Sequence, residues 1–172
     1  SGSASATGEP GSAGGLVGDN DGTIQTATAF GSVNSTANDG SVGGLSGRNT
    51  GTLRNAAAFG SVTATGEFGS AGGLVGTNRG NLTDAFAVGS VSSNDDVGGL
   101  VGSDDSGGTT QQSYFDINTT GQDTSAGNAT GLTTAQMQGQ AASDNMDGFE
   151  FGVDWQTQTD PADYPVLISL QQ

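Results

Sequence analysis

At 172 residues the chain suits one domain or one short repeat array. It carries 18 acidic residues against three arginines, has no lysine, histidine or cysteine, and has a net charge of −15. That balance repels nucleic acid and anionic membranes, and the missing residue types exclude Ser-His or Cys-His triads and Schiff-base lysines.

The N-terminal residues already belong to a repeat. Gly2-Ser3-Ala4 matches Gly60-Ser61-Val62, and Ala6 to Ala13 matches Ala64 to Ala71 except for Pro10 in place of Phe68. The chain thus starts part-way round a repeat, as a processed product or an excised piece would. Gly14-Gly15-Leu16-Val17-Gly18 comes next and returns at Gly43, Gly72 and Gly98, with spacings of 29, 29 and 26 residues. A period of this length means one structural unit stacked on copies of itself. Leu, Ile, Val and Phe total only 30 residues, a share often read as disorder. In-register glycine motifs argue against disorder, and a solenoid needs only a thin core because each rung buries its face on its neighbours.

Each repeat then reads alike. A turn signal (Asp19-Asn20-Asp21-Gly22 in the first) precedes an alternating strand. Its inward positions are Ile24, Ala27, Ala29, Gly31 and Val33, then Leu53, Ala56, Ala58, Gly60 and Val62, then Leu82, Ala85, Ala87, Gly89 and Val91. So small an inner column has no room for a large residue at Ala56 or Ala58. The outward positions are Thr28, Ala57 and Phe86, then Phe30, Phe59 and Val88, and the second set makes an apolar stripe. A neighbouring segment covers it or it is a contact surface. Asn20, Asn49 and Asn78 mark corners, where left-handed backbone, self-capped turns and amide bonds between rungs are expected. Thr26, Asn55 and Asp84 form a second structural column. Asp19 and Arg48 precede the corner asparagines and are expected to approach across rungs. Residues 34–42, 63–71 and 92–97 read as loops on one side of the stack.

The fourth repeat degrades after Gly98. Asp104-Asp105-Ser106-Gly107-Gly108 lengthens the turn, and Ser113-Tyr114-Phe115-Asp116 replaces the Ala-x-Ala pattern. Thr133 to Gln138 reads as a short helix capped by Thr133 or Thr134. Phe149, Phe151, Val153 and Trp155 alternate like a strand. This tail holds both tyrosines and the single tryptophan, bulk enough to close an open solenoid end.

The string Gly-Gly-Leu-Val-Gly-x-Asn-x-Gly-Thr-Ile, then Ala-x-Gly-Ser-Val, resembles the GLUG repeat over residues 2–116. The tail is similar to the segment often found C-terminal to such arrays: Tyr114-Phe115-Asp116, Thr119-Thr120-Gly121-Gln122, Gly131 to Met137 and Tyr164-Pro165-Val166-Leu167. Ser46 and Phe115 depart from the pattern. The resemblance implies a surface or secreted β-solenoid of the kind found in adhesins, and it carries over no catalytic residue.

The expected fold is therefore all-β: a right-handed parallel β-solenoid of three full rungs with partial ends. Repeats are expected over residues 1–112, and a C-terminal cap with a short helix over 113–172. Calcium is the cofactor candidate. Asp116, Asn118, Thr120 and Asp123 present oxygens at alternate positions like half an EF-hand loop, without the closing Glu; Asp19 and Asp21 are a weaker pair. Sequons place glycosylation candidates at Asn34, Asn81, Asn118 and Asn128, with Asn34 in an exposed loop. Asp95 or Asp96 with Asp104 or Asp105 could form the carboxylate pair of a glycosidase, but no aromatic platform stands nearby in sequence. The functional expectation is a non-catalytic extracellular or cell-surface structural or adhesion module, part of a larger secreted protein. Its partners would be a surface glycan, a protein ligand or further copies of itself, with no nucleic acid and no membrane insertion. The alternatives are a filament subunit and a carbohydrate-active β-helix enzyme. Lysine-free acidity also points to high salt, where screening removes self-repulsion.

Overall fold

A computed structural model describes residues 3–8, 11–67, 69–105 and 107–171. Four rungs of four strands stack as a parallel β-solenoid. The first is β1 (Ala4–Ala6), β2 (Ser12–Gly14), β3 (Val17–Asn20) and β4 (Thr23–Ala29). The second is β5 (Val33–Ser35), β6 (Ser41–Gly43), β7 (Ser46–Asn49) and β8 (Thr52–Ala58). The third is β9 (Val62–Ala64), β10 (Ser70–Gly72), β11 (Val75–Asn78) and β12 (Asn81–Ala87). The fourth is β13 (Val91–Ser93), β14 (Asp96–Gly98), β15 (Val101–Asp104) and β16 (Thr109–Asp116). The residues expected as partial ends thus complete a fourth rung, because counting from Gly14 divided one turn between both ends. The expected boundary at 112 falls inside β16. The matches at Gly2, Pro10 and Phe68 lie outside the described residues.

Register obeys the repeat: Ile24 pairs with Leu53, Leu53 with Leu82, and Leu82 with Thr110. The motif leucines Leu45, Leu74 and Leu100 are fully buried among Leu53, Leu82 and the small inner column. Approach is close: a Cβ added at Gly73 would stand 2.8 Å from the Ala87 Cβ. In the fourth rung Phe115 occupies the column of Ala58 and Ala87, and its ring lies against Gly99. A ring fits there because no further rung stacks on it; Ile117, Ala126 and Ala129 close over it instead.

The expected loops are partly strands, since residues 34–42 and 63–71 contribute to β5, β6, β9 and β10. Asn34 is accordingly the exposed centre of β5 rather than a loop residue. The corner amides do bond between rungs: Asn20 Nδ2 donates to Asn49 Oδ1 at 2.7 Å, and Asn49 Nδ2 to Asn78 Oδ1 at 2.9 Å. Asn20 and Asn78 also accept from the backbone N–H of Gly22 and Gly80, capping their own turns. Left-handed backbone falls elsewhere, at Thr26, Asn55, Asp84 and Gln112, with φ of 60°, 49°, 53° and 46°. Each of these residues drops out of the strand register. That left-handed kink, shared by all four strands, resets the alternation, so Ile24 and Ala27 both face the core.

The C-terminal segment does two jobs rather than one. Residues 117–132 close the end of the stack. They include α1 (Ile117–Thr120) and β17 (Thr130–Leu132), which pairs with β16. Residues 133–171 lie along the outer flank. They hold α2 (Thr134–Met137), α3 (Gly139–Asn145) and the antiparallel pair β18 (Trp155–Gln156) and β19 (Val166–Leu167). Thr133 caps α2, its N–H donating to Gln136 Oε1 at 2.9 Å. The expected strand through Phe149, Phe151, Val153 and Trp155 is instead a tight turn. The N–H groups of Asp154 and Trp155 both donate to the Glu150 carbonyl, and Val153 is exposed.

Candidate functional site

The outward column of the long strands is where solenoid and C-terminal segment meet. Thr28, Ala57, Phe86 and Tyr114 stand in register across β4, β8, β12 and β16. On the last two rungs the face is sealed. Met137, Ala142, Met146, Phe149, Trp155 and Leu167 bury Ala57, Phe86 and Tyr114. Phe86 sits 5.4 Å from the Trp155 ring and 6.4 Å from Phe149. The segment is pegged down by polar contacts. The Tyr164 hydroxyl donates to Asp116 Oδ2 at 2.5 Å, Tyr114 to the Asp147 carbonyl at 2.8 Å, and Asn55 Nδ2 to Asp154 Oδ2 at 2.8 Å. Burial, then the bond to Asp116 and its charge, pushes the Tyr164 hydroxyl up to about 12. Burial also raises Tyr114, and raises Asp84 despite the lowering pull of Arg54.

On the first rung the same flank is open, and on the second, where Ala57 is already covered, Phe59 is half-buried at the edge. Phe30 stacks on Phe59 with centroids 4.9 Å apart and planes at 16°, and Phe30 is 62% exposed. Phe59 also meets Tyr164 edge-on at 6.2 Å. These rings, with Thr28, Val166 and Leu170, line a groove of about 500 Å³. Gln158, Asp163 and Gln171 supply polar groups to it. An aromatic floor with a few polar groups is what a pyranose ring or an apolar side chain can occupy. The stripe is legible in the sequence. Its partition into sealed and open halves is not, because nothing local says where residues 133–171 stop along the flank.

The calcium candidates meet a different use. Asp116 is fully buried as the N-cap of α1; its Oδ1 accepts from the N–H groups of Asn118 and Thr119, and its Oδ2 accepts from Tyr164. Thr120 Oγ1 donates to the Asp116 carbonyl at 2.6 Å, and Asn118 Oδ1 accepts from the N–H of Thr134 at 3.0 Å. Asp123, Asp19 and Asp21 are exposed, and Asp21 accepts from Thr50 Oγ1. Among the described residues no three acidic side chains converge as a metal-holding group. All four sequon asparagines, Asn34, Asn81, Asn118 and Asn128, are exposed.

Asp96 and Asp105 line one polar groove with Arg48 and Arg79, while Asp95 lies just before β14 and Asp104 ends β15. Arg79 is paired with Asp105 through both Nε and Nη2. Asp19 and Arg48 stand opposite each other in register, as expected. The ion pairs found among the described residues are nonetheless Arg79–Asp105 and Arg54–Asp154, and Arg48 faces the groove. No described helix is long and apolar enough to cross a membrane.

No family model matches the chain, and no solved structure matches it. A stretch of 73 residues, 41% of the chain, is 47% identical to Halomucin of Haloquadratum walsbyi (strain DSM 16790 / HBSQ001). It spans about 1% of that protein's length.

Proposed function

We propose that this chain is a non-catalytic adhesion or structural module of an extracellular or cell-surface protein, working in high salt. The observation that carries the proposal is the half-open aromatic flank: a rigid solenoid holds Phe30 exposed, stacked on the half-buried Phe59, beside Gln158, Asp163 and Gln171. The partial likeness to Halomucin supports a salt-adapted surface setting, and the small share of that protein matched supports membership of a larger polypeptide. The GLUG resemblance points the same way, as do four exposed sequon asparagines as glycan acceptors. Calcium at the α1 cap would have to compete with Tyr164 for Asp116. The test is a glycan array probed in molar salt with the native chain and with Phe30→Ala. Binding that the substitution removes supports the adhesion reading, and binding unchanged by it places the ligand elsewhere.

A further inference from the structure

The groove at the open end of the flank is lined by groups that are anchored but not paired. Phe30 stacks on Phe59, and Phe59 meets the Tyr164 ring edge-on, so the aromatic floor runs unbroken to the residue beside Asp163. The Tyr164 hydroxyl is taken by Asp116, so this residue offers the groove its ring. Asp163 is fixed through its backbone: its N–H donates to the Asp160 carbonyl at 3.1 Å, and its carbonyl accepts from the Gly139 N–H at 3.0 Å. Its carboxylate is exposed and makes no ion pair or hydrogen bond among the described residues. The same holds for the side-chain amides of the half-buried Gln158 and the exposed Gln171. All of these residues line one cavity of about 500 Å³, within the range of roughly 300–1,000 Å³ usual for small-ligand clefts.

The unpaired groups decide between the occupants that an aromatic groove admits. An apolar side chain would cover the rings but would take two amides and a carboxylate out of water with nothing to bond them, which costs more than the stacking returns. An acidic sugar would set a second carboxylate against Asp163 with no cation to offset it. Arg54 and Arg79 are paired with Asp154 and Asp105, and Arg48 lines the other, polar groove. A neutral pyranose meets both demands. Its C–H face lies on the electron-rich faces of the rings. Its hydroxyls donate to the carboxylate, which only accepts and has two oxygens for a vicinal diol, while the amides both donate and accept. Molar salt screens charge at long range and leaves stacking and hydrogen bonds in place.

We propose that this groove receives an uncharged pyranose, one ring face on Phe30 and Phe59 and a vicinal diol donating to Asp163. The proposal rests on the adhesion reading and narrows its ligand: Asp163 is the residue that selects neutral sugars over acidic ones.

The test is a chemical-shift titration of the whole chain in molar potassium chloride, following the Phe30 and Phe59 ring protons and the Gln158 side-chain amide. The probes are the methyl glycosides of glucose and galactose, the matching glucuronate and galacturonate, and N-acetyl-leucine amide as the apolar side chain. The expected result is a saturable shift with a neutral glycoside, with its uronate weaker by about tenfold because two carboxylates then face each other. Phe30→Ala removes the shift. Asp163→Asn weakens the neutral glycoside and strengthens the uronate, a gain that a misfolded variant does not give. Uronate binding as tight as neutral binding, a uronate gap unchanged in Asp163→Asn, or saturation by N-acetyl-leucine amide alone overturns the proposal. Glycan-array binding confined to acidic glycans and lost in Phe30→Ala also overturns it while leaving the adhesion reading standing; an array with no binding at all removes both.

Discussion

Two halves of one sheet face carry the same kind of residue and meet opposite fates. Phe86 and Tyr114, on the last two rungs, are sealed beneath Trp155 and Phe149, whereas Phe30 on the first stands 62% exposed. The strands beneath are in register and share their backbone, the left-handed kink included. What differs is where residues 133–171 stop. An outward aromatic on a solenoid is thus neither core nor ligand surface by its own nature; a second segment decides which it becomes.

Substitution should read this difference directly. Phe86→Ala is expected to cost about 3–5 kcal/mol, because it opens a cavity between the sheet and Trp155 that rigid strands cannot fill. Phe30→Ala at the open end is expected to stay within about 0.5 kcal/mol. Urea unfolding of the two variants side by side makes the measurement. Equal losses would mean that the flank is uniformly covered or uniformly open.

A smaller effect is expected from the pegs that hold the cover down. Tyr164→Phe removes a donor from the buried Asp116 carboxylate and should cost about 1–3 kcal/mol at neutral pH. Burial of the Tyr164 hydroxyl, with that bond second, sets an alkaline limit. In the folded chain Tyr164 titrates near 12, against 10.0 for an ordinary tyrosine. The folded state therefore holds that proton more tightly than the unfolded state. The stabilisation is complete below pH 10 and is lost as pH rises from about 10 to 12. Melting curves across that window should show a decline that Tyr164→Phe lessens.

Salt should act most gently and on both halves alike. Eighteen acids face three arginines, so screening relieves repulsion over the whole body. The melting temperature should rise from low to molar potassium chloride, with the gap between Phe86→Ala and Phe30→Ala preserved. A flat or falling curve would contradict salt adaptation and leave the solenoid intact.

Much of the solenoid is legible in the sequence because its signals are local and repeated. The Gly-Gly-Leu motif, the alternating inner column and the corner asparagines each recur at a fixed offset, so spacing alone implies stacking. The kink at Thr26, Asn55 and Asp84 is visible as a column, but its left-handed backbone is not, since threonine and aspartate do not announce it as glycine would. The C-terminal segment reads as an end cap alone because its contacts along the flank are non-local. Tyr164 reaches Asp116 across 48 positions, and Asn55 reaches Asp154 across 99. The Asp116 loop looks like half a calcium site for a related reason. Alternate oxygen ligands and a helix N-cap have the same local sequence, and only the structure shows Asp116 accepting from the Asn118 and Thr119 N–H groups, with the distant Tyr164 on its other oxygen.

The partition of the flank is tested most directly by solvent paramagnetic relaxation of the aromatic ring protons, read in one spectrum with a soluble gadolinium chelate. Phe30 should be bleached strongly, Phe59 partly, and Phe86, Phe149 and Trp155 hardly at all. Bleaching of Phe86 and Trp155 to the level of Phe30, or protection of Phe30 to the level of Phe86, would contradict a flank sealed on two rungs and open at the first.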